Sequence, residues 1–317
     1  MSTDATGLGG SNTCDTGCQV NTVELTRPKN VLDLIDTEQK LVEATGIPTF
    51  NMLKELSNLC KEQSPATSDM TGDIILTMIK IKHAVPFTLL AILFGISKPT
   101  AAKKFKITLK LLASVLSAAV RWPELAEVRA NMPKCFSKFK NTRVIVDCTE
   151  IPINRPKCLT CRQITYSQYK GQHTAKVMVG VSPAGLITFI SKVYGGRASD
   201  KAIYEQSGLA EMLEPYVDAV MADKGFLIEG VCEQTCVQLH RPPFLRAQKQ
   251  FSKGDALYCA EIARARVHVE RVIGRMKCFD MMVKPLSGQL LGSFEAIVTV
   301  VAGLTNLAGP VLSGSRF

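Results

Sequence analysis

The chain has 317 residues, 46% of them apolar, so it is long enough to bury one large core or two ordinary ones. It carries 38 Lys and Arg against 28 Asp and Glu, and the formal net charge of +10 favours a polyanionic partner such as nucleic acid. An odd number of cysteines, 11, and the lack of a signal-peptide pattern argue against a secreted disulfide scaffold and predict reduced thiols. No apolar run reaches the roughly 18 residues of a membrane span, so we expect a soluble protein without a membrane partner.

Residues 1–29 are predicted to be a disordered tail, because they are rich in Gly, Ser, Thr and Asn and poor in apolar residues. The first 62 residues hold nine acidic and five basic side chains, so the positive charge belongs to the rest of the chain. Residues 30–62 have apolar residues at helical spacing, broken at Gly46-Ile47-Pro48, and this pattern predicts two short helices.

The next segment is predicted to form three helices: Ile74–Ala84, Pro86–Phe94, and Lys98 to about Ala119. Phe94-Gly95-Ile96-Ser97 is typical of a tight turn, with Ser97 as the N-cap of the third helix. This is the pattern of a helix-turn-helix. We therefore predict an all-α domain over residues 30–135.

The third helix carries side chains that we predict to contact DNA. We expect four of them to reach phosphates or base edges: Thr100, Lys103, Lys104 and Lys106. The alternative is a helical bundle whose lysines are merely solvated, because the turn signal alone is weakly specific.

From Asn141 onward the pattern changes and predicts an α/β domain, which we place over residues 136–317. Strands are predicted in RVIVDCTEIPI, TAKVMVGVSPAGLITFISKVYGG and YVDAVMADKGF. A hairpin turn at Ser182-Pro183-Ala184-Gly185 makes the first strands a meander. Helices are predicted around Lys201–Glu214 and Ala256–Cys278.

Two aspartates each close a β-branched apolar run in this domain. Asp147 and Asp223 are therefore predicted to lie at the C-terminal ends of strands, where ligands gather. Glu150 is expected to point away from Asp147, because three steps along a strand reverse the face. Divalent cations prefer carboxylate oxygens, so the two aspartates and a glutamate from a packed helix predict a metal site.

That glutamate is Glu270, in the basic helix ARARVHVERVIGRMK. At about 100° per residue, an apolar stripe (Ile262, Val269, Ile273, Met276) lies nearly opposite a basic face (Arg264, His268, Arg271, Arg275). Glu270 falls on the border, beside Ala263, Val267 and Gly274. Two interpretations stay open. Small residues at the border bring Glu270 close to the two aspartates and leave the arginines for phosphates, or Glu270 pairs with Arg266 one turn earlier.

Cysteine pairs are the main competing signal. Cys158 and Cys161 have the spacing of a zinc knuckle, and Cys232 with Cys236, or Cys14 with Cys18, would complete a tetrahedral site. No other pair has the same two-residue gap. Cys148, beside Asp147, is expected to be a small buried side chain rather than a nucleophile.

A resemblance to a known family is carried by four segments: DCTEIPINRP, TYSQYKGQHTAKVMVGVSPAGLITFISKVYGGRASDK, ADKGF and ARVHVERVIGRMK. They resemble the DDE-type endonuclease domain of Harbinger (PIF) transposases and their domesticated relatives, and the helices before them resemble the accompanying helix-turn-helix. The similarity runs in consistent order from about Ile74 to Ala308. It implies a ribonuclease H-like fold in which Asp147, Asp223 and Glu270 fall on the family's catalytic, metal-binding acids. Asp200 falls on a further acidic position and is a candidate metal ligand whose role stays open.

The resemblance implies a metal-dependent DNA endonuclease or transposase, acting with two Mg²⁺ or Mn²⁺ ions, in the nucleus or also in the cytoplasm. Lys170, His173, Lys176 and the arginine face of the Glu270 helix are expected to neutralise DNA phosphates. A separate DNA-binding partner protein and a homo-oligomer are further expectations. The alternatives are a domesticated DNA-binding protein that keeps the fold without cleavage, and an RNA-processing nuclease.

Overall fold

The computed structural model describes residues 31–64, 69–245 and 250–309. The tail predicted over residues 1–29, with Cys14 and Cys18, lies outside these residues.

The first part of the chain is helical, as predicted. Its helices are α1 (Val31–Leu34), α2 (Glu38–Thr45), α3 (Phe50–Gln63), α4 (Met70–His83), α5 (Phe87–Leu93), α6 (Lys98–Ser117) and α7 (Leu125–Ala130). The predicted break at Gly46 is confirmed, because that residue ends α2 in the left-handed region at φ 77°. The prediction of two helices for residues 30–62 missed α1, a single turn whose Leu32 packs against the core.

Helices α4, α5 and α6 confirm the three predicted helices, with boundaries shifted by a few residues. Ser97 Oγ accepts a hydrogen bond from the N–H of Thr100, as expected of an N-cap. Gly95 turns the chain at φ 62°, which a residue without Cβ adopts at little cost. The turn between α5 and α6 is therefore the one that the sequence predicted.

The second part is an α/β domain. It contains β1 (Thr142–Pro152), α8 (Leu159–Thr165), β2 (Tyr166–Ser167), β3 (Gln172–Val181), β4 (Ile187–Ile190), β5 (Tyr194–Gly195), α9 (Asp200–Gln206), β6 (Ala219–Ala222), α10 (Glu229–Gln234), β7 (Gln238–His240), α11 (Lys253–Met276) and α12 (Phe294–Leu307). Single 3-10 turns occur at Lys134–Phe136, Ala210–Met212, Asp280–Met282 and Gly288–Ser293.

The seven-stranded sheet has the order β2-β3-β1-β6-β7, and β4 and β5 also pair with β3. The predicted meander is confirmed, since β1 pairs with β3, and β3 with β4, in antiparallel fashion. Strands β6 and β7 add to β1 in parallel. The sheet is therefore antiparallel on one side of β1 and parallel on the other.

Alternate residues of β1 face two different cores. Val144 and Val146 contribute to a small cluster with α9 and β6, and Ile145 and Ile151 to a large one. The large cluster also contains residues of α2 to α6, α11 and α12. Helix α12 packs closely against α6: a Cβ added to Gly303 would lie 2.7 Å from the carbonyl oxygen of Leu116. The helical part and the α/β part thus share one continuous core.

One stretch departs from the expectation about membranes. Gly288–Leu307, a 3-10 turn followed by α12, is long and apolar enough by composition to cross a membrane. Its most apolar window is 56% buried, and α12 packs against α6, α11 and β4. The apolar residues of this stretch therefore form part of the protein core.

Candidate active site

Asp147 lies within β1, not at its end. The strand continues for five residues to Pro152, because β3 pairs with β1 throughout, from Asp147↔Val179 to Pro152↔Thr174. The prediction of a strand end was wrong for this residue. The parallel pairing with β6 does end here, at Val146↔Ala222. Asp147 and Asp223 are thus the next residues on two neighbouring parallel strands, and Asp223 follows β6 directly as predicted.

Helix α11 brings a third acid and an arginine to the same place. Arg266 Nη1 lies 3.1 Å from Asp223 Oδ1 and 3.8 Å from Glu270 Oε1. Because both oxygens contact one nitrogen, they are at most about 7 Å apart. The two interpretations of Glu270 are therefore not exclusive: it pairs with Arg266 and it lies near Asp223.

The packing of α11 follows the predicted apolar stripe. Ile262, Val269, Ile273 and Met276 are buried, whereas Glu270 is 60% exposed. The small residue that faces the core is Ala265, which is fully buried, and not Ala263 or Gly274, which are exposed. Arg266 is one residue further on, and its side chain is only 11% exposed. The helix therefore holds the nearly buried Arg266 side chain against the C-terminal end of β6.

Electrostatics link these residues to Asp147. Burial raises the pKa of Asp147 to about 6, while Arg266 and a hydrogen bond of 2.9 Å from the N–H of Cys148 oppose the increase. Repulsion from Asp223 and Asp200 raises it further. A carboxyl group with a strongly shifted pKa beside other acids is a frequent mark of a functional site.

Asp200 is paired with a different cation. Its Oδ1 lies 2.6 Å from Nζ of Lys176, which is buried and also lies 3.7 Å from Glu150. The predicted contact of Lys176 with DNA phosphates stays a prediction, and it would require this buried ammonium group to leave its two carboxylates. Glu150 points away from Asp147, as predicted, and accepts a hydrogen bond from Thr174.

The acids have the right chemistry for a hard divalent ion. Asp147, Asp223 and Glu270 offer carboxylate oxygens, which Mg²⁺ and Mn²⁺ prefer. Within the described ranges no three His, Cys, Asp or Glu side chains converge on one point, and Arg266 lies between Asp223 and Glu270. The Arg266 guanidinium is thus the counter-charge of Asp223 and Glu270.

The predicted DNA contacts of α6 divide into two groups. Thr100, Lys103 and Lys106 are exposed. Lys104 is not free, because its Nζ lies 2.5 Å from Oδ1 of the buried Asp73 on α4. Its predicted DNA contact stays a prediction, because the ion pair leaves the Lys104 side chain 34% exposed.

The basic face of α11 also divides. Arg264 and Arg271 are exposed, and Arg275 donates a hydrogen bond of 2.8 Å to the carbonyl of Gly309. His268 is buried, contrary to expectation, with Nδ1 2.8 Å from the carbonyl oxygen of Pro183. The 3-10 turn at Lys134–Phe136 covers this part of the helix, and the rings of Phe136 and His268 are 5.6 Å apart.

Two candidates lie at the start of β3, Lys170 just before the strand and His173 within it. Lys170 is exposed, and its Nζ stands over the ring of Tyr169. His173 is half-buried, with Nδ1 3.0 Å from Oγ1 of Thr165. Sequence analysis missed three arginines, Arg155, Arg162 and Arg197, that line a cavity with His173, because Arg197 is 35 residues from Arg162 and only the fold brings them together.

The competing cysteine signals find no support in the structure. Cys158 Sγ accepts the N–H of Cys161 at 3.3 Å, as a cap of α8. In the part of the chain that the structure describes, no metal-binding group includes Cys158, Cys161, Cys232 or Cys236. Burial and the hydrogen bond to Asp200 raise the pKa of Cys148, so this thiol stays protonated, as expected of a non-nucleophilic side chain.

Comparison with known families agrees with this architecture. Residues 146–306 match the model of the DDE superfamily endonuclease family, and residues 72–118 match the helix-turn-helix of DDE superfamily endonuclease. The first match covers Asp147, Asp223 and Glu270, and the second covers α5, α6 and most of α4. The chain belongs to the DDE superfamily endonuclease family. Its fold is a ribonuclease H-like domain preceded by a helix-turn-helix segment, and members of the family generally use divalent metals.

The chain is also similar to a curated relative, a probable transposase for insertion sequence element IS702 from Microchaete diplosiphon. The two are 29% identical over 142 residues, which cover 44% of this chain and 48% of the relative. The chain therefore spans about half the length of that relative. No solved structure matches the chain.

Proposed function

We propose that this protein is a divalent-metal-dependent DNA endonuclease of the Harbinger transposase type, which cleaves phosphodiester bonds and transfers strands. One observation carries the proposal: Asp147 and Asp223 occupy adjacent positions on parallel strands, and α11 brings Glu270 to within about 7 Å of Asp223. Two of these carboxylates share the Arg266 guanidinium, and the charge of Asp223 acts on the third, Asp147.

Asp147, Asp223 and Glu270 would hold two Mg²⁺ or Mn²⁺ ions, and Asp200 is a further candidate through its effect on Asp147. When bound, the ions would activate water or a 3′-hydroxyl and stabilise the leaving oxygen. Arg266 and a metal ion compete for the same oxygens of Asp223 and Glu270. Metal binding must therefore loosen the two Arg266 contacts, and the guanidinium then becomes available to a phosphate.

The exposed cations provide the DNA surface. Thr100, Lys103 and Lys106 on α6 would enter or flank a groove, and Lys170, Arg264 and Arg271 are exposed cations of the nuclease domain that would contact phosphates. The resemblance to Harbinger transposases further suggests a nuclear location and a separate DNA-binding partner protein. A homo-oligomer is part of the same proposal.

The test is Mg²⁺- or Mn²⁺-dependent nicking of duplex DNA by the purified protein, compared with Asp147→Asn and Asp223→Asn. The matched control is Asp280→Asn, since Asp280 pairs only with Lys284 on the surface among the salt bridges of the described residues. We expect nicking by the wild type and the control and none by the two site variants. Nicking that survives in either site variant would overturn the assignment.

A second function is favoured by the Arg266 contacts, which already neutralise part of the acidic cluster. A domesticated DNA-binding protein would keep these ion pairs and never take up metal. It would bind DNA in a salt-sensitive manner without nicking it under any metal. RNA that outcompetes DNA of the same length would instead indicate an RNA-processing nuclease.

A further inference from the structure

The connection between β1 and β3, together with the segment after β5, forms a concave basic pocket outside the acidic cluster. The cavity has a volume of about 500 Å³ and is lined by Arg155, Arg162, Gln163, Tyr166, Gln168, His173 and Arg197. Three guanidinium groups line it, and no carboxylate does. Because like charges repel, such a lining favours an anionic occupant.

The three arginines have no acidic partner elsewhere in the described ranges. Among the salt bridges of these residues, none includes Arg155, Arg162 or Arg197. Arg162 is oriented by its Nε, which donates a hydrogen bond of 2.7 Å to the carbonyl of Pro156. The planar guanidinium suits the paired oxygens of a phosphodiester better than a lysine does.

The walls of the pocket are tied to the sheet. The N–H of Arg197 donates to the carbonyl of Ile164 at 3.2 Å, and Gly196 N donates to Thr174 on β3 at 2.9 Å. A Cβ on Gly195 would lie 2.1 Å from the Ile164 oxygen, so only glycine allows α8 to approach β5 this closely. The pocket is therefore a built part of the domain.

A second cavity continues the pocket toward the acids. Arg197 and Gln168 line both cavities, and the second is also lined by Glu150 and Lys176. Lys176 pairs with Asp200, whose charge acts on Asp147. The five steps along β1 from Asp147 to Pro152 span roughly 17 Å, which equals about five base pairs of duplex DNA.

We infer that Arg155, Arg162 and Arg197 bind a backbone phosphate of DNA about five nucleotides from the bond that is cut, at a distance set by β1. The inference rests on the proposed function for the identity of the partner. It adds a phosphate site that positions the strand along the groove leading to the acids.

The test uses full-length protein with Asp147→Asn, so that DNA binding is measured without cleavage. The double variant Arg155→Gln/Arg197→Gln, called the pocket variant, removes two exposed charges from the pocket and leaves the Arg162 hydrogen bond intact. The matched control is Lys54→Gln with Lys61→Gln, two exposed cations on α3. Binding of a fluorescent duplex is followed by anisotropy at several KCl concentrations.

The pocket variant is expected to reduce the magnitude of the slope of log K against log salt by roughly 1, since the one phosphate contact contributes about 0.9. The control is expected to leave the slope unchanged. An equal loss in both variants, or an unchanged slope in the pocket variant, would overturn the inference, because only general charge would then be acting. The single variants Arg155→Gln and Arg197→Gln give the same answer if the double variant fails to fold.

Neutral methylphosphonates placed one at a time along the duplex locate the contact. In the Asp147→Asn protein with intact pocket arginines, we expect a methylphosphonate at one position, about five nucleotides from the nick, to weaken binding. The same substitution should have no effect on binding by the pocket variant. Equal sensitivity of both proteins at every position would contradict the site. This scan does not need cleavage, so a protein that fails to nick can still confirm or contradict the phosphate site.

Discussion

Arg266 Nη1 lies 3.1 Å from Asp223 Oδ1, and this contact joins α11 to the end of β6 at the point where the acids gather. The same nitrogen lies 3.8 Å from Glu270. A single guanidinium thus holds two carboxylates that would otherwise repel each other and Asp147. It keeps the acidic cluster compatible with a folded, metal-free domain.

Replacing Arg266 should lower the stability of the protein without metal and strengthen its binding of metal. We expect Arg266→Gln to lower the free energy of unfolding of the metal-free protein by about 1 kcal/mol, a modest value because Asp223 is half exposed. Mn²⁺ should bind the variant more tightly, since its competitor is gone. Thermal unfolding with and without Mn²⁺ measures both effects. Arg264→Gln, an exposed neighbour on the same helix, is the control. Equal stability and equal Mn²⁺ response of the wild type and Arg266→Gln would contradict the role of Arg266.

Asp147→Asn should stabilise the metal-free protein while it abolishes nicking. Burial makes the ionised Asp147 carboxylate costly, and the raised pKa corresponds to a gain on the order of 2 kcal/mol at neutral pH when the charge is removed. Urea unfolding at pH 7.5 measures the difference. Asp280→Asn should change the free energy of unfolding by less than about 0.5 kcal/mol. A site variant that is less stable than the wild type would show that the carboxylate is held by contacts that outweigh its burial.

His240 should make the folded protein less stable as the pH is lowered. Burial lowers its pKa to about 4, so the unfolded chain binds a proton first as the pH falls. His240 therefore destabilises the folded state by up to about 3 kcal/mol as the pH falls from about 6.5 to about 4. The raised pKa of Asp147 acts in the opposite direction over the same range, so the contribution of His240 is measured in the Asp147→Asn background. His240→Gln should flatten this part of the profile, measured by urea unfolding at several pH values. His83→Gln, at an exposed position, should leave it as steep as in the wild type. A steep profile in His240→Gln would assign the loss to other groups.

The contact between α12 and α6 should be intolerant of one methyl group. Gly303→Ala places a Cβ 2.7 Å from the Leu116 carbonyl oxygen, which forces the helices apart and should cost about 1 to 3 kcal/mol. Gly274→Ala is the matched control, because it lies in α11 with no atom within 4 Å of the added Cβ. It should be neutral or stabilising by up to about 1 kcal/mol. Thermal unfolding of the two variants gives the comparison, and a Gly303→Ala protein as stable as Gly274→Ala would contradict the close approach.

The sequence by itself determined the local features of this protein. Apolar spacing predicted α4 to α6, α11 and the strands around Asp147 and Asp223, because helix and strand periods are set by neighbouring residues. Ser97 was recognisable as a cap for the same reason, since its partner, Thr100, is three residues away. The resemblance to a known family then pointed to Asp147, Asp223 and Glu270 together.

Only the tertiary structure decided which charges are free. Lys104 forms an ion pair with Asp73, 31 residues away, and Lys176 forms one with Asp200. His268 is buried against Pro183. Asp147 lies inside a strand because β3 continues to pair with β1 beyond it. Contacts between residues distant in sequence depend on how whole elements pack, and periodicity along the chain carries no record of them. The same packing brings the three pocket arginines together and places Arg266 between Asp223 and Glu270.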